Sequence, residues 1–162
     1  MKDENLAKLR ALLEAYAERA AEAPPAKTRA LETRRRACGE KLRQLVRPVL
    51  DLVMEELRHA GHQATTRDHT DLDNAYPSVA LSFTPRTGRG AGAHFALASA
   101  LIFRYDPRHG VVVHAEVKPS PAAPPVTGAT SQRLGTIGVD ALSAEWVETK
   151  VLNFVHAVLK AN

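Results

Sequence analysis

The sequence contains one cysteine, Cys38, among 162 residues. No internal disulfide can form, and a reducing compartment is the matching expectation. Aromatic residues make up only 5% of the chain, too few to mark a platform on which nucleic-acid bases would stack. Uninterrupted apolar runs are a few residues long, far below the roughly 20 needed to span a bilayer. The opening segment MKDENLAKLR mixes acids with bases and has no apolar h-region, so no cleaved export signal is expected. A soluble, cytoplasmic protein without a membrane partner is the consequence. Helix-turn-helix, zinc-finger, P-loop and dinucleotide fingerprints are missing as well, and no internal repeat is visible.

What is present fits one globular domain. Hydrophobic residues are 44% and charged residues 25% of the chain, and the apolar ones cluster in periodic blocks, which argues against general disorder. The chain reads as α+β: an N-terminal helical hairpin with a long second helix (3–60), a three- to four-stranded antiparallel meander (62–118), a Pro-rich loop (119–133) and a C-terminal amphipathic helix (140–160).

The helical reading rests on spacing. Leu6, Leu9, Leu13, Tyr16, Ala20 and Ala23 recur at alternating intervals of three and four, the seam of helices that pack side by side. Pro24 and Pro25 stop this first helix, since proline lacks an N–H and displaces the residue before it from the α region. The second helix is expected from Lys27 or Thr28 to Gly61, a residue suited to a left-handed C-terminal cap. Its first half continues the seam through Leu31 and Cys38, whereas nine of the sixteen residues from Leu42 to Leu57 are apolar and predict a helix lying on a sheet. Pro48 inside it predicts a kink or a break. A straight helix of this length would extend about 50 Å at 1.5 Å per residue, so its seam is expected to be covered by the first helix folding back or by the same seam of a second copy.

Beyond Gly61 the period changes to two. HQATTRD reads as a weak strand, and PSVALSFTP as a stronger one with Val79, Leu81 and Phe83 on one face. In FALASALIFRY the bulky Phe95, Leu97, Leu101, Phe103 and Tyr105 alternate with small residues, and the small face is expected to admit a helix. A turn at DPRHG leads to VVVHAEVK as the hairpin partner. PSPAAPPVTGATSQR reads as a loop, LGTIG as a short edge strand, and Asp140 or Ser143 as the cap of the final helix.

Five segments carry candidate chemistry. The stretch from His59 to Asp73 holds His59, His62, His69, Asp68, Asp71 and Asp73, residue types that ligate zinc, manganese or iron, but Gly61 separates the first two histidines and the EF-hand pattern fails at Ala75 and Tyr76. No metal or cofactor is expected. The glycine-rich TPRTGRGAGAH, with Arg86 and Arg89, resembles a phosphate cradle in composition only, because it joins two strands. Residues 27–47 contain eight Lys or Arg against Glu32 and Glu40, and Arg34, Arg35, Arg36, Lys41 and Arg43 form the candidate binding surface for a polyanion or a partner protein. Cys38 reads as a small buried hydrophobe. His114 and Glu116 share a strand face as a candidate acid/base pair, and Trp146 reads as a core or interface anchor.

With no convergent catalytic set, the sequence leans away from an enzyme. It predicts a non-catalytic binding or adaptor domain that self-associates, as a dimer, through the helical seam. Nucleic-acid or other polyanion binding by the basic helix is the alternative, and a metal-dependent or small-ligand enzyme is a third.

Overall fold

The structure, a computed structural model, describes residues 2–23, 25–71, 75–86, 97–119 and 130–162. In chain order these form α1 (Asp3–Ala21), α2 (Ala26–Lys41), a π-helical turn (Leu42–Val46) and α3 (Arg47–His59). Strands β1 (Gln63–His69), β2 (Ser78–Thr84), β3 (Ser99–Asp106), β4 (Gly110–Val117) and β5 (Thr130–Ile137) follow, then a 3-10 turn (Val139–Ala141) and α4 (Ala144–Ala161). The fold is α+β, with N-terminal helices, an antiparallel sheet in the order β1-β2-β3-β4-β5 and a C-terminal helix. The chain divides into two compact units, Met1–Thr33 and Arg34–Asn162.

The sheet has five strands, not three or four. The extra strand is β5, which takes in Thr130–Arg133 from the segment expected to be loop and the LGTIG edge strand after it. One face of the sheet is apolar because side chains alternate along each strand. Val79, Leu81 and Phe83 of β2, Leu101, Phe103 and Tyr105 of β3, and Val111, Val113 and Ala115 of β4 are buried on it. Leu42, Val46, Leu50 and Leu57 from the second helical region, and Val147, Val151, Phe154 and Val158 of α4, close this core. The helices therefore lie on the bulky face of β3, not on the small one. Contact area decides this: large apolar side chains gain roughly 1.5–3 kcal/mol each on full burial, which small ones cannot match. Leu97, expected on the bulky face, is exposed, and Phe95 lies outside the described residues.

Local signals set the helix ends. Pro48 cannot donate a hydrogen bond, and the chain answers with a wide turn just ahead of it, in which Arg47 N–H donates to the Leu42 carbonyl. At the other end of α3, Gly61 N–H donates to Arg58 (2.9 Å) and His62 N–H to Leu57 (3.0 Å), a Schellman cap that needs the positive φ of 88° at Gly61. Ser143, the expected cap of α4, accepts from Trp146 N–H at 3.2 Å. Strand β1 is tied to α3 by Thr66 on Asp51 (2.7 Å), Arg58 Nε on the Ala64 carbonyl (2.9 Å) and Arg47 on Asp68 (2.9 Å).

Candidate binding surfaces

The five residues of the basic stretch occupy different environments. Lys41 Nζ donates to the Val139 carbonyl (3.0 Å) and stands 3.8 Å from Asp140. Arg43 reaches Thr70 Oγ1 with Nε (3.2 Å) and Nη2 (3.1 Å), and lies 3.7 Å from Glu40. Both cations thus have partners within the fold. Arg34 lines a hollow of about 420 Å³ whose other walls include Arg108, His109 and Asp140. Arg35 and Arg36 have partners of their own.

Cys38 is fully buried in the core. Burial pushes its thiol up to about 12, with Lys41 acting weakly in the opposite direction, so the thiolate needed for nucleophilic attack is not formed near neutral pH. Tyr105 is shifted upward too, by burial first and by the neighbouring thiol second.

The described residues of the His/Asp segment do not converge on one site. His59 ends α3 and is exposed. His62 Nδ1 accepts from Arg86 N–H at 2.8 Å, with its ring against the edge of Phe83 at 5.3 Å. Asp68 accepts from Thr70 N–H (2.9 Å) and its hydroxyl, and pairs with Arg47. Burial raises the Asp68 pKa, but the hydrogen bonds from Thr70 and the charge of Arg47 outweigh it and hold the carboxyl below the usual range. Asp73 lies outside the described residues, as do 87–94 of the glycine-rich loop. Among the described residues no group of three His, Cys, Asp or Glu is placed to hold a metal ion. No helix among them is long and apolar enough to cross a membrane.

His114 and Glu116 share a face of β4, as expected, although β4 is followed by a fifth strand. Glu116 pairs with Lys118 at 3.6 Å, whereas His114 lines a second hollow of about 300 Å³ beside Tyr76, Arg104, Val112 and Arg133. The sequence pattern does not single out Arg104 and Arg133. Arg104 stands alone among apolar residues of a strand, and the placement of Arg133 depends on the pairing of β5, for which Gly135 inside a strand pattern was the available signal. Trp146 is a core anchor, packed edge-on to Phe103 at 6.3 Å.

The seam of helix α1 is exposed. None of its residues is buried, and Leu9, Leu12, Leu13 and Tyr16 are 42%, 67%, 58% and 67% exposed.

Comparison with protein-family models, with curated proteins and with solved structures gives no significant match, so the functional reading rests on this geometry.

Proposed function

We propose that the protein is a non-catalytic binding module that self-associates, as a dimer, through the apolar stripe of α1. The observation that supports this reading is the exposure of Leu9, Leu12, Leu13 and Tyr16 along one helix of nineteen residues. Most helical stability in proteins comes from burying an amphipathic face, and no residue of α1 is buried. The spacing of Leu6, Leu9, Leu13 and Tyr16 is that of a seam meeting its own copy. Each large side chain so covered contributes roughly 1–2 kcal/mol, from which the entropy of association is subtracted. The burial of Cys38 and the Glu116–Lys118 pair support the non-catalytic part of the reading.

Light scattering coupled to size exclusion tests it. The expected mass is about 35 kDa, twice the 17.6 kDa of one chain, and Leu9→Asp with Leu13→Asp should return the single-chain mass while leaving the thermal transition of the remaining fold in place. A wild-type chain that stays monomeric at about 100 µM would sink the proposal.

Polyanion binding by the basic helix is supported by Arg34 sharing its hollow with Arg108 and His109. It predicts salt-dependent affinity for an oligonucleotide that weakens in the Arg34→Ala, Arg35→Ala, Arg36→Ala triple variant. The absence of binding at low salt would remove it.

A further inference from the structure

Strand β5 falls out of step with β4 by one residue. Val113 pairs with Gly135, but His114 pairs with Arg133, leaving Leu134 as an extra residue in a β-bulge. Because side chains alternate between faces, unbroken pairing would set Arg133 opposite Ala115, whose side chain is in the core. The bulge turns Arg133 to the opposite face, beside His114. On that face the register sets Arg104 of β3 opposite Val112, two residues before His114.

One guanidinium from β3, one imidazole from β4 and one guanidinium from β5 thus stand around Val112. Val112 is only 5% exposed and forms the floor of the hollow of about 300 Å³. Tyr76 supplies a wall. It is held there through its neighbour Pro77, whose carbonyl accepts from Tyr105 N–H at 2.9 Å. Asp106 is the one carboxylate among the described lining residues, and its Oδ1 already accepts from Arg108 N–H (2.7 Å) and His109 N–H (3.0 Å) and lies 3.1 Å from His109 Nδ1. Neither Arg104 nor Arg133 is paired with a carboxylate among the described residues.

We infer that this hollow binds the phosphate group of a small phosphomonoester, a sugar phosphate or nucleoside monophosphate, through Arg104, His114 and Arg133. Guanidinium groups recognise phosphate through paired N–H donors. Three donors drawn from three strands around one floor residue match the three terminal oxygens of a phosphomonoester better than the two coplanar oxygens of a carboxylate. The volume is at the lower end of small-ligand sites. Tyr76 offers a flat apolar surface to a sugar or base, and the Asp106 carboxylate accepts from a ligand hydroxyl. The site uses no residue of the α1 stripe, so its test does not depend on self-association.

Calorimetric titration of the full-length protein at low ionic strength tests the inference with ribose 5-phosphate, adenosine monophosphate, inorganic phosphate, ribose and adenosine. Both esters should bind, with ribose and adenosine at least about tenfold weaker, since a charge-assisted contact is worth a factor of that order. Tighter binding of adenosine monophosphate than of ribose 5-phosphate supports the nucleotide as ligand, and equal binding supports the sugar phosphate. Arg104→Gln and Arg133→Gln should each weaken the ester by about tenfold, with the circular dichroism spectrum unchanged because both side chains are exposed. Arg67→Gln, on β1 of the same face but outside the hollow, should leave affinity unaltered. Inorganic phosphate binding as tightly as the esters, ribose or adenosine binding equally well, or the same loss in Arg67→Gln would each overturn it.

Discussion

The ammonium of Lys150 donates a 3.0 Å hydrogen bond to the carbonyl of Leu134, the residue that β5 carries in excess of β4. The same ammonium lies 5.2 Å from the centre of the Trp146 ring. Between them runs Gly135, whose φ of +155° suits glycine and where a Cβ would come within 3.1 Å of Lys150 Nζ. A bulge leaves backbone groups without a ladder partner, and here α4 supplies one. The final helix thus fixes which side chain of β5 reaches the open face of the sheet.

Replacing Lys150 with Met keeps the stem over Trp146 and removes the donor. The expected loss is about 1–2 kcal/mol, the usual worth of a partly buried hydrogen bond from a charged group. Urea unfolding measures it through the midpoint. An unchanged midpoint would show that water replaces the ammonium at no cost.

At Gly61 the conformation is the constraint. Among the described residues a Cβ there would meet only the flexible side chain of Arg86, at 3.2 Å, so Gly61→Ala suffers chiefly from its positive φ, at about 1–2 kcal/mol. A lower midpoint at constant slope is expected. Equal or greater stability would mean that α3 can end without its Schellman cap.

Much of this architecture was legible because the deciding interactions are local. Alternation of Val79, Leu81 and Phe83, the glycine after α3 and the serine before α4 each announce themselves within a few residues. What escaped depends on distant partners. Pro48 predicts disruption, but whether a kink or a wide turn results is set by the need to keep both Leu42 and Val46 in the core. The alternation in β3 shows two faces without saying which one the helices will cover. The bulge at Leu134 belongs to a pair of strands, and neither strand alone carries its register. Hence Arg34 and Arg43 were visible as charges, whereas the grouping of Arg104, His114 and Arg133 was not.

Cys38 should be silent to thiol reagents in the folded protein and react fully in denaturant. Its thiol is neutral in the folded state up to about pH 12, while an unfolded thiol ionises near pH 8.5. The folded pKa is the raised one, so stability is intact below the unfolded pKa and falls as pH rises toward 12. Tyr105 acts in the same direction, so Cys38→Ala should make the alkaline decline shallower without abolishing it. A stability profile flat from pH 8.5 to 11 in the wild type, measured by urea unfolding, would contradict the buried placement of this thiol.

Asp68 governs the opposite limb of the profile. Its carboxylate joins Thr70 to Arg47 at the edge of the sheet and is only 20% exposed, and its folded pKa lies below the ordinary carboxylate value despite that burial. A depressed folded pKa means that the ionised form stabilises the fold above the unfolded pKa, near 3.9, and that this contribution is lost as pH falls through the folded value. Asp68→Asn should therefore be less stable than wild type at pH 7. The gap should narrow below about pH 4, as the wild-type carboxyl itself takes up a proton. Arg47→Gln should reproduce part of the loss, because Thr70 still donates to Asp68. In Asp68→Asn the further Arg47→Gln change should cost less than it does in the wild type, since one of the two carboxylates that Arg47 answers is gone and only Asp51, at 3.5 Å, remains. Equal costs in the two backgrounds would mean that the 2.9 Å contact between Arg47 and Asp68 carries no coupling energy and that Thr70 alone holds the carboxylate.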